Sequence, residues 1–353
     1  MTPPAPDAAS GPGSPDRAAA GTATTAGVPK RTLPNQRLSL TELGFGAAQI
    51  GNLHHAVDDG EALAAVRAAW DAGVRYFDTA PHYGLGLSER RLGQALRGLP
   101  RQEYLLSTKV GRLLEPTDGA TGTDPEGFAV PASHRRMRDY SRDGVLRSIE
   151  ASLHRLGLDR IDIVLIHDPH DHAREALEQA APALSQLRDE GVIGAYGAGM
   201  NQSAMLTRFV RETDADLVML AGRYTLLEQP ALDDLMPAAL EQRVGVINVG
   251  VFNSGLLSLE RPDRRALYNY ALAPAELVDR ACRIADVCER FATTLPAAAL
   301  AFGLRHPAVV NVALGLRNPS QVAESLARYR QPIPDGLWAA LQDEGLLSRK
   351  ALG

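Results

Sequence analysis

Residues 161–167 of this 353-residue chain read Ile161-Asp162-Ile163-Val164-Leu165-Ile166-His167, a mostly apolar run that ends on an ionisable side chain. Two earlier runs have the same form: residues 74–77 end at Asp78, and residues 104–108 end at Lys109. Such runs are typical of buried parallel strands, and a helical pattern follows each one. In a chain that alternates strands and helices, the carboxyl ends of the strands share one rim, where active sites lie. The runs therefore predict Asp78, Lys109 and His167 on one rim.

The remainder of the chain continues this alternation of strands and helices. We predict strands at Leu43–Ala48, Tyr76–Asp78, Tyr104–Lys109, Ile161–His167, Ala195–Gly199, Leu217–Leu220, Val244–Val249 and Val309–Leu314. Eight strand–helix pairs in about 320 residues fit a closed (β/α)8 TIM barrel, so the predicted fold class is α/β with a single barrel domain over residues 31–353. A small hairpin at Leu33–Leu40, with its turn at Pro34-Asn35-Gln36, is predicted to precede the barrel.

A doubly wound dinucleotide-binding fold is the competing architecture. It requires a glycine fingerprint that opens the first helix and an acidic residue at the end of the next strand. The nearest candidate, Gly44-Phe45-Gly46-Ala47-Ala48-Gln49-Ile50-Gly51, has four residues where the fingerprint has two before its third glycine. The sequence therefore favours the barrel.

Residues 1–30 differ in composition from the rest of the chain. They consist largely of Pro, Ala, Gly, Ser and Thr, with almost no large apolar side chain to offset the entropy of ordering. We predict a disordered tail over residues 1–30. It lacks the basic start and apolar centre of a secretory signal, which predicts a cytoplasmic protein.

Composition excludes several classes of partner. A formal net charge of -5 predicts no binding to nucleic acid or to an anionic membrane, and no apolar run has the length of a membrane span. The basic run at residues 134–138 is predicted to be the solvated face of a loop. Cys282 and Cys288, the two cysteines of the chain, predict a reducing compartment. Nothing in the sequence determines the oligomeric state.

A tyrosine, Tyr83, follows Asp78 by five residues and completes a proton-transfer set. A phenol titrates near pH ~10, and an adjacent ammonium lowers that pKa by about 1–3 units. Lys109 can supply the charge, and a buried lysine needs a carboxylate partner such as Asp78. His167 can donate a hydrogen bond to a substrate oxygen. Converged on one rim, these four residues predict acid–base chemistry beside a carbonyl or carbinol oxygen.

A metal-dependent barrel hydrolase is an alternative interpretation. Residues 167–172 contain three His and two Asp, and such clusters can bind zinc. Catalytic barrels of that type draw their ligands from several strands, and here the residues belong to one loop. We therefore predict a polar loop and no metal site.

The motifs together resemble those of the aldo-keto reductase family. The matching stretches are residues 77–84 around Asp78 and Tyr83, residues 107–111 around Lys109, residues 156–167 leading to His167, and residues 315–322 after the last strand. The resemblance covers residues 40–328. It is strongest toward the D-threo-aldose 1-dehydrogenase and L-fucose dehydrogenase branch, on the stretches at 197–201, 221–227 and 252–257.

The resemblance implies a nicotinamide cofactor, NAD(P), bound without a Rossmann domain. It implies that Asn201 holds the carboxamide and that Phe252 stacks on the nicotinamide ring. It implies that Arg317, Gln321 and Glu324 hold the adenosine end. Cofactor binding is further assigned to Asn253, Ser254, Gly255, Leu256 and Gly315. Many NADP-preferring relatives carry a lysine where this chain has Gly315, whereas Arg317 could meet a 2′-phosphate, so NAD and NADP both stay open.

The resemblance also implies an activity. It implies hydride transfer between nicotinamide and C1 of an aldose, giving a lactone, or reduction of a related aldehyde, with Asp78, Tyr83, Lys109 and His167 as the catalytic residues. Pyridoxal 4-dehydrogenase and general aldehyde reductase activities are alternatives, and a non-catalytic cofactor-binding regulator is a further one. The predicted partner is a small sugar or aldehyde. The long loops 111–141 and 252–272 are candidate lids and specificity elements.

Overall fold

A closed barrel of eight parallel strands forms the centre of the computed structural model, which describes residues 1, 27–119, 121–269 and 271–352. The barrel strands are β3 (Leu43–Gly46), β4 (Tyr76–Asp78), β5 (Leu105–Val110), β8 (Ile163–His167), β9 (Ala195–Met200), β10 (Leu217–Ala221), β11 (Gly245–Val249) and β14 (Val309–Gly315). They follow one another around the barrel in chain order, and β14 pairs with β3 to close it. The predicted fold class and the eight predicted strands are confirmed.

Helices pack outside the barrel. They are α1 (Asp59–Asp71), α2 (Leu87–Leu96), α3 (Arg142–Leu156), α4 (Ala173–Glu175), α5 (Ala181–Asp189), α6 (Ser203–Glu212), α7 (Leu235–Glu241), α8 (Ala275–Arg290), α9 (Leu295–Gly303), α10 (Pro319–Arg330) and α11 (Gly336–Asp343). A π-helical turn at Ala176–Ala180 joins α4 to α5. Within the described part of the chain, no helix is both long and apolar enough to span a bilayer.

The barrel interior is filled by side chains and is not a pore. Its buried apolar cluster contains Leu33, Leu40, Tyr76, Ile163, Leu165, Ala195, Leu217, Met219, Ile247, Val310 and Ala313. Full burial of one such Leu or Ile side chain stabilises the fold by about 1.5–3 kcal/mol. On β9, Gly197 lets adjacent strands approach, because a Cβ atom there would lie 1.7 Å from the Leu217 carbonyl oxygen.

The predicted N-terminal hairpin is present, with its strands shifted outward by a few residues. Strand β1 (Lys30–Thr32) pairs antiparallel with β2 (Ser39–Thr41), and Leu33 and Leu40 of this hairpin are fully buried in the barrel cluster. The predicted tail, residues 1–30, falls for the most part outside the described residues. Of its described residues, Val28 is buried and Lys30 begins β1, so ordered structure starts before residue 31.

The first long loop, 111–141, contains secondary structure that the sequence pattern did not predict. Strand β6 (Arg112–Pro116) pairs antiparallel with β7 (His134–Arg138). The prediction of a wholly solvated basic run is therefore wrong, because alternate residues of a strand face opposite sides. The Arg135 side chain is 68% exposed, whereas that of Arg136 is 6% exposed and forms an ion pair with Asp124 at 2.7 Å.

Two smaller elements lie in the second long loop. A 3-10 turn covers Asn253–Gly255, and β12 (Leu267–Tyr268) pairs with β13 (Ala271–Leu272).

The helix ends agree with the sequence-based predictions only in part. Gly157 ends α3 in a left-handed conformation, as the sequence predicts, and Ser141 caps the start of this helix. The sequence also predicts that Ser88 caps α2, and this prediction is wrong. The Ser88 hydroxyl is buried and donates instead to the Ala47 carbonyl oxygen at 2.7 Å.

Candidate active site

Two of the predicted residues form a buried ion pair at the carboxyl ends of adjacent barrel strands. Asp78 ends β4 and Lys109 lies near the end of β5. The Lys109 ammonium donates to both Asp78 carboxylate oxygens, at 2.9 and 2.7 Å, and to the Thr79 carbonyl oxygen at 3.0 Å. Ser107 donates a further hydrogen bond to Asp78 at 2.7 Å. Lys109 is only 2% exposed, so these partners replace the water that its charge has lost.

Tyr83 lies against this ion pair. The Lys109 nitrogen is 4.7 Å from the centroid of the Tyr83 ring. Burial alone would lower the pKa of Lys109, but the charges of Asp78 and Tyr83 and its hydrogen bonds with both side chains raise that pKa above its usual value. Lys109 therefore stays protonated. An ammonium at this place favours the charged form of a neighbouring phenol.

Glycine fixes the turn that carries Tyr83. Gly84 has a φ of +61°, and a Cβ atom at this position would lie 2.2 Å from the Gly51 carbonyl oxygen. No other residue fits there without displacing the backbone. The contact seats the turn after β4 on the 3-10 turn Gln49–Gly51, which follows β3.

His167 ends β8 beside Tyr83, with the two ring centroids 5.9 Å apart. Burial, followed by the positive charges of Arg112 and Lys109, lowers the pKa of His167 well below its usual value, so the imidazole is neutral. The Tyr140 hydroxyl donates to the His167 carbonyl oxygen at 2.8 Å and holds the end of the strand. Nδ1 of His167 is buried and has no hydrogen-bond partner among the described residues.

The structure thus brings the four predicted residues together on one rim. It also adds two aromatic neighbours that the sequence reasoning did not assign. The His82 ring lies 5.5 Å from that of His167, and burial, followed by the charges of Arg112 and Arg136, lowers the pKa of His82 to about 2. The Phe128 ring lies 6.1 Å from that of Tyr83. His82 precedes Tyr83 in the quoted motif and could have been found there, whereas Phe128 lies in a loop with no distinguishing pattern.

The residues predicted to hold the adenosine end of the cofactor lie where β14 passes into α10. The Arg317 guanidinium donates to the Gln49 side-chain oxygen at 3.0 Å, and the Arg317 backbone nitrogen donates to the Gln321 side chain at 3.1 Å. Nε of Arg317 is buried without a partner among the described residues. Gly315 lies beside them, and a Cβ atom there would be 3.2 Å from Cγ of Gln49. Glu324 is exposed on α10 and accepts a hydrogen bond from Ser320.

The other predicted cofactor residues follow β9 and β11. Asn201 is exposed directly after β9, and Phe252 is half-buried against the main core. Asn253 and Ser254 have positive φ values of 46° and 57°, and Gly255 has one of 100°. Asn253 donates to Glu228 at 3.2 Å, while its own side-chain oxygen is buried without a partner in the described structure. Leu256 is fully buried and anchors this turn.

The histidine-rich loop after β8 does not assemble a metal site. His170 lies 3.5 Å from Asp171, and His172 lies 3.6 Å from Glu175, as separate pairs. Across the described residues, no group of three or more His, Cys, Asp or Glu side chains could hold a metal ion. The described part of the chain therefore offers no candidate site to the metal-dependent hydrolase alternative.

Chemically, the arrangement is suited to proton transfer at an oxygen atom. A protonated lysine stabilises a tyrosinate, and a neutral histidine beside it can donate one hydrogen bond. Neither group requires a metal ion for this step. Nε of Arg317 and Oδ1 of Asn253, which have no partner in the described part of the chain, lie on other strand connections of the barrel and can form hydrogen bonds with a bound molecule.

Comparison with known proteins agrees with this geometry. The sequence model of the aldo/keto reductase family matches residues 42–343. D-threo-aldose 1-dehydrogenase from Pseudomonas sp. is 48% identical over 314 residues, covering 88% of this chain and 95% of that protein. Pyridoxal 4-dehydrogenase from Microbacterium luteolum is 37% identical, covering 90% and 98%. A glycerol dehydrogenase structure from Gluconobacter oxydans has the same fold, with a TM-score of 0.73 at 23% identity, covering 92% and 96%. The chain therefore belongs to the aldo/keto reductase family and is a nicotinamide-dependent oxidoreductase.

Proposed function

We propose that this protein oxidises the anomeric carbon of an aldose to a lactone, with NAD(P) as the hydride acceptor. The observation that carries the proposal is the buried Lys109 ammonium, held by Asp78 at 2.7 Å and lying against Tyr83. The choice of an aldose is supported by the relative named D-threo-aldose 1-dehydrogenase, 48% identical over most of both chains.

Tyr83 is the proposed acid–base residue. In the oxidative direction, its phenolate takes the proton of the hemiacetal hydroxyl while hydride leaves C1 and the C1–O bond becomes a carbonyl. Lys109 stabilises the phenolate before this step, and Asp78 keeps Lys109 charged and in place. In the reductive direction, the Tyr83 hydroxyl gives its proton to the carbonyl oxygen of an aldehyde.

His167 is proposed to orient the substrate oxygen. Because its pKa is well below the usual value, the imidazole takes up no proton near neutral pH and does not compete with Tyr83 for the transferred proton. It can still donate one N–H hydrogen bond to the oxygen. The ring centroids of Tyr83 and His167 are 5.9 Å apart, close enough for both side chains to form hydrogen bonds with the same oxygen atom.

The cofactor would be held along the connections after β9, β11 and β14. Asn201 would bind the carboxamide, Phe252 would stack on the nicotinamide ring, and the turn at 253–256 would face the phosphates. Arg317 and Gln321 would hold the adenosine end, with Glu324 at its exposed edge. Buried polar atoms on Asn253 and Arg317, which no described residue hydrogen-bonds, fit such a ligand. Hydride exchange at nicotinamide C4 is the chemistry that the cofactor supplies when bound.

Preference between NAD and NADP depends on the neighbourhood of Gly315. A lysine there would crowd Gln49, which already accepts a hydrogen bond from Arg317. This chain therefore presents Arg317 as the cation available to a 2′-phosphate, and both cofactors belong in the test.

The experiment is a screen that follows the near-ultraviolet absorbance of reduced nicotinamide. L-fucose, D-arabinose, L-galactose, pyridoxal and simple aldehydes are each tested with NAD and with NADP, and the Tyr83→Phe variant serves as the inactive control. We expect oxidation of at least one aldose, with a lactone as its product. Turnover of pyridoxal alone would favour the activity named for the 37% identical relative. Reduction of simple aldehydes without oxidation of any aldose would refute the proposal.

A further inference from the structure

A second charged pair lies beside the proton-transfer residues. Arg112 is the first residue of β6, and Asp168 directly follows His167. Arg112 donates to Asp168 at 2.5 Å, and its other terminal nitrogen lies 3.5 Å from the Glu126 carboxylate. We call Arg112 and Asp168 the rim pair. Neither belongs to the residues assigned above to the proton transfer or to the cofactor.

The rim pair lies within reach of a substrate that is bound at Tyr83 and His167. An Asp168 oxygen is 3.6 Å from Nε2 of His167, too far for a good hydrogen bond and close enough for both to contact one ligand. Arg112 lies 3.3 Å from Nδ1 of His82, whose ring is 5.9 Å from that of Tyr83. With the reacting oxygen at Tyr83 and His167, the pair is therefore close enough to contact a substituent on the carbon next to the reacting carbon.

Both members have hydrogen-bonding capacity left. The Arg112 side chain is only 9% exposed, and its Nε is buried without a partner among the described residues. The Asp168 side chain is 28% exposed, and an ionised carboxylate offers about four acceptor positions, more than Arg112 occupies. A buried, incompletely bonded arginine is costly unless a ligand completes its hydrogen bonds. The pair therefore offers donors and acceptors at the same place.

The charges around the pair select the class of ligand. Arg112 is matched by Asp168 and by Glu126, and neighbouring Arg136 is matched by Asp124 at 2.7 Å. A substrate carboxylate or phosphate placed here would be repelled by Asp168 and would compete with Asp168 and Glu126 for Arg112. Arg138 also lies nearby, 3.5 Å from the Asp168 carbonyl oxygen, but it is exposed, so solvent screens its charge. A neutral hydroxyl group, which both donates and accepts, fits the pair without adding charge. The Phe128 ring, 5.1 Å from that of His82, adds an apolar wall for the C–H face of a sugar.

We propose that Arg112 and Asp168 are specificity-determining residues that bind the hydroxyl group on the carbon next to the reacting carbon. The enzyme then selects 2-hydroxyaldehydes and their cyclic aldose forms over simple aldehydes. The inference rests on the proposed function, because it takes Tyr83 and His167 as the residues that contact the reacting oxygen. It goes beyond that function in naming the substrate group that is recognised and the residues that recognise it.

The test uses two three-carbon aldehydes, 2-hydroxypropanal and propanal, which differ only in the hydroxyl group on C2. Reduction of each is measured with the full-length protein, and the readout is the ratio of kcat/KM for 2-hydroxypropanal to kcat/KM for propanal. In Asp168→Asn, we expect this ratio to fall about 10- to 100-fold, the usual loss for one hydrogen bond to a charged group. Asp168 has a φ of 42°, a conformation that asparagine adopts readily, so the variant should fold.

A matched control lies on the same hairpin. Arg135 is on the outer face of β7, where it pairs with Glu115 at 2.7 Å, and Arg135→Gln should leave the ratio unchanged. Arg112→Lys is the second variant. This variant keeps the positive charge but loses the planar guanidinium, which can form two parallel hydrogen bonds. The ratio should therefore fall in this variant also.

Equal losses for the two aldehydes in both rim-pair variants would overturn the inference, because a residue that only supports His167 affects them alike. Equal kcat/KM values for the two aldehydes in the unmodified enzyme would overturn it as well. Failure of the proposed function has a different signature. In that case no aldose is oxidised, although the preference for 2-hydroxypropanal over propanal and its loss in Asp168→Asn persist.

Discussion

Replacement of Lys109 by methionine tests the electrostatic basis of the proposed chemistry. Met has a similar length and no charge, so Lys109→Met removes the ammonium beside Tyr83 and leaves the Asp78 carboxylate in its place. With the phenolate charge placed at the centroid of the Tyr83 ring, 4.7 Å from the Lys109 nitrogen, Coulomb's law gives about 3.5 kcal/mol at an effective dielectric constant of about 20. This energy corresponds to a factor of about 10²–10³ in the fraction of Tyr83 that is phenolate at a given pH.

The assay is the pH dependence of kcat/KM for aldose oxidation. We expect Lys109→Met to lose about 10²–10³-fold in kcat/KM near neutral pH, and the rising limb of the profile to move by about two units or more toward high pH. Lys350→Met is the matched control, because Lys350 is an exposed lysine that also pairs with an aspartate. It should retain full activity and an unmoved profile.

Lys109→Met could lose activity through lower folding stability as well as through the missing charge, so the two effects are measured separately. Loss of one partner from a buried ion pair destabilises a protein by about 3–5 kcal/mol, because the other charge is left unpaired. The double variant Lys109→Met/Asp78→Asn removes that charge and should regain most of the lost stability in urea unfolding while remaining inactive. More than one tenth of the activity in Lys109→Met, with an unchanged pH profile, would refute the reasoning.

Three further predictions concern catalysis and stability. Tyr83→Phe should lower kcat by at least about 10³-fold while cofactor binding, followed by protein fluorescence, is retained; near-normal turnover would remove Tyr83 from the mechanism. Because the pKa values of His82 and His167 are lowered in the folded protein, the unfolded state binds the additional protons below pH ~6.5. The free energy of unfolding should therefore decrease by up to about 1.4 kcal/mol per pH unit for each histidine as the pH falls below that value, and the slope should be smaller in His82→Asn; an equal slope in both proteins would contradict this account. Arg155→Met should lower the free energy of unfolding by about 3–5 kcal/mol, because it leaves the fully buried Glu89 carboxylate without its cation. A change below about 1 kcal/mol in urea unfolding would show that Glu89 is compensated elsewhere.

Much of the barrel could be predicted from local pattern. Parallel strands buried on both faces are read from short apolar runs, and each run here had its helix after it. Asp78, Lys109 and His167 were found for the same reason, since each stands at the end of such a run. Tyr83 was found from its fixed spacing to Asp78.

Residues whose role depends on partners distant in the chain were missed. Arg136 was assigned to a solvated loop, yet its ion pair with Asp124 and its hydrogen bond to the His82 carbonyl oxygen place it inside the site. Ser88 was assigned as a helix cap, yet it is buried against Ala47. No sequence motif or periodicity marked Phe128 as a neighbour of the site. In each case the environment was set by packing between elements far apart in sequence.

The sequence by itself determined the succession of strands and helices, the identity of the side chains at the strand ends and the family. These follow from apolar periodicity and short motifs, which act over a few residues. Only the tertiary structure decided that Phe128, in the connection between β6 and β7, lies beside Tyr83, that Arg112 pairs with Asp168 beside His167, and that His82 and His167 are neutral. These features depend on burial and on charges brought together by closure of the barrel, and no local run of residues encodes them.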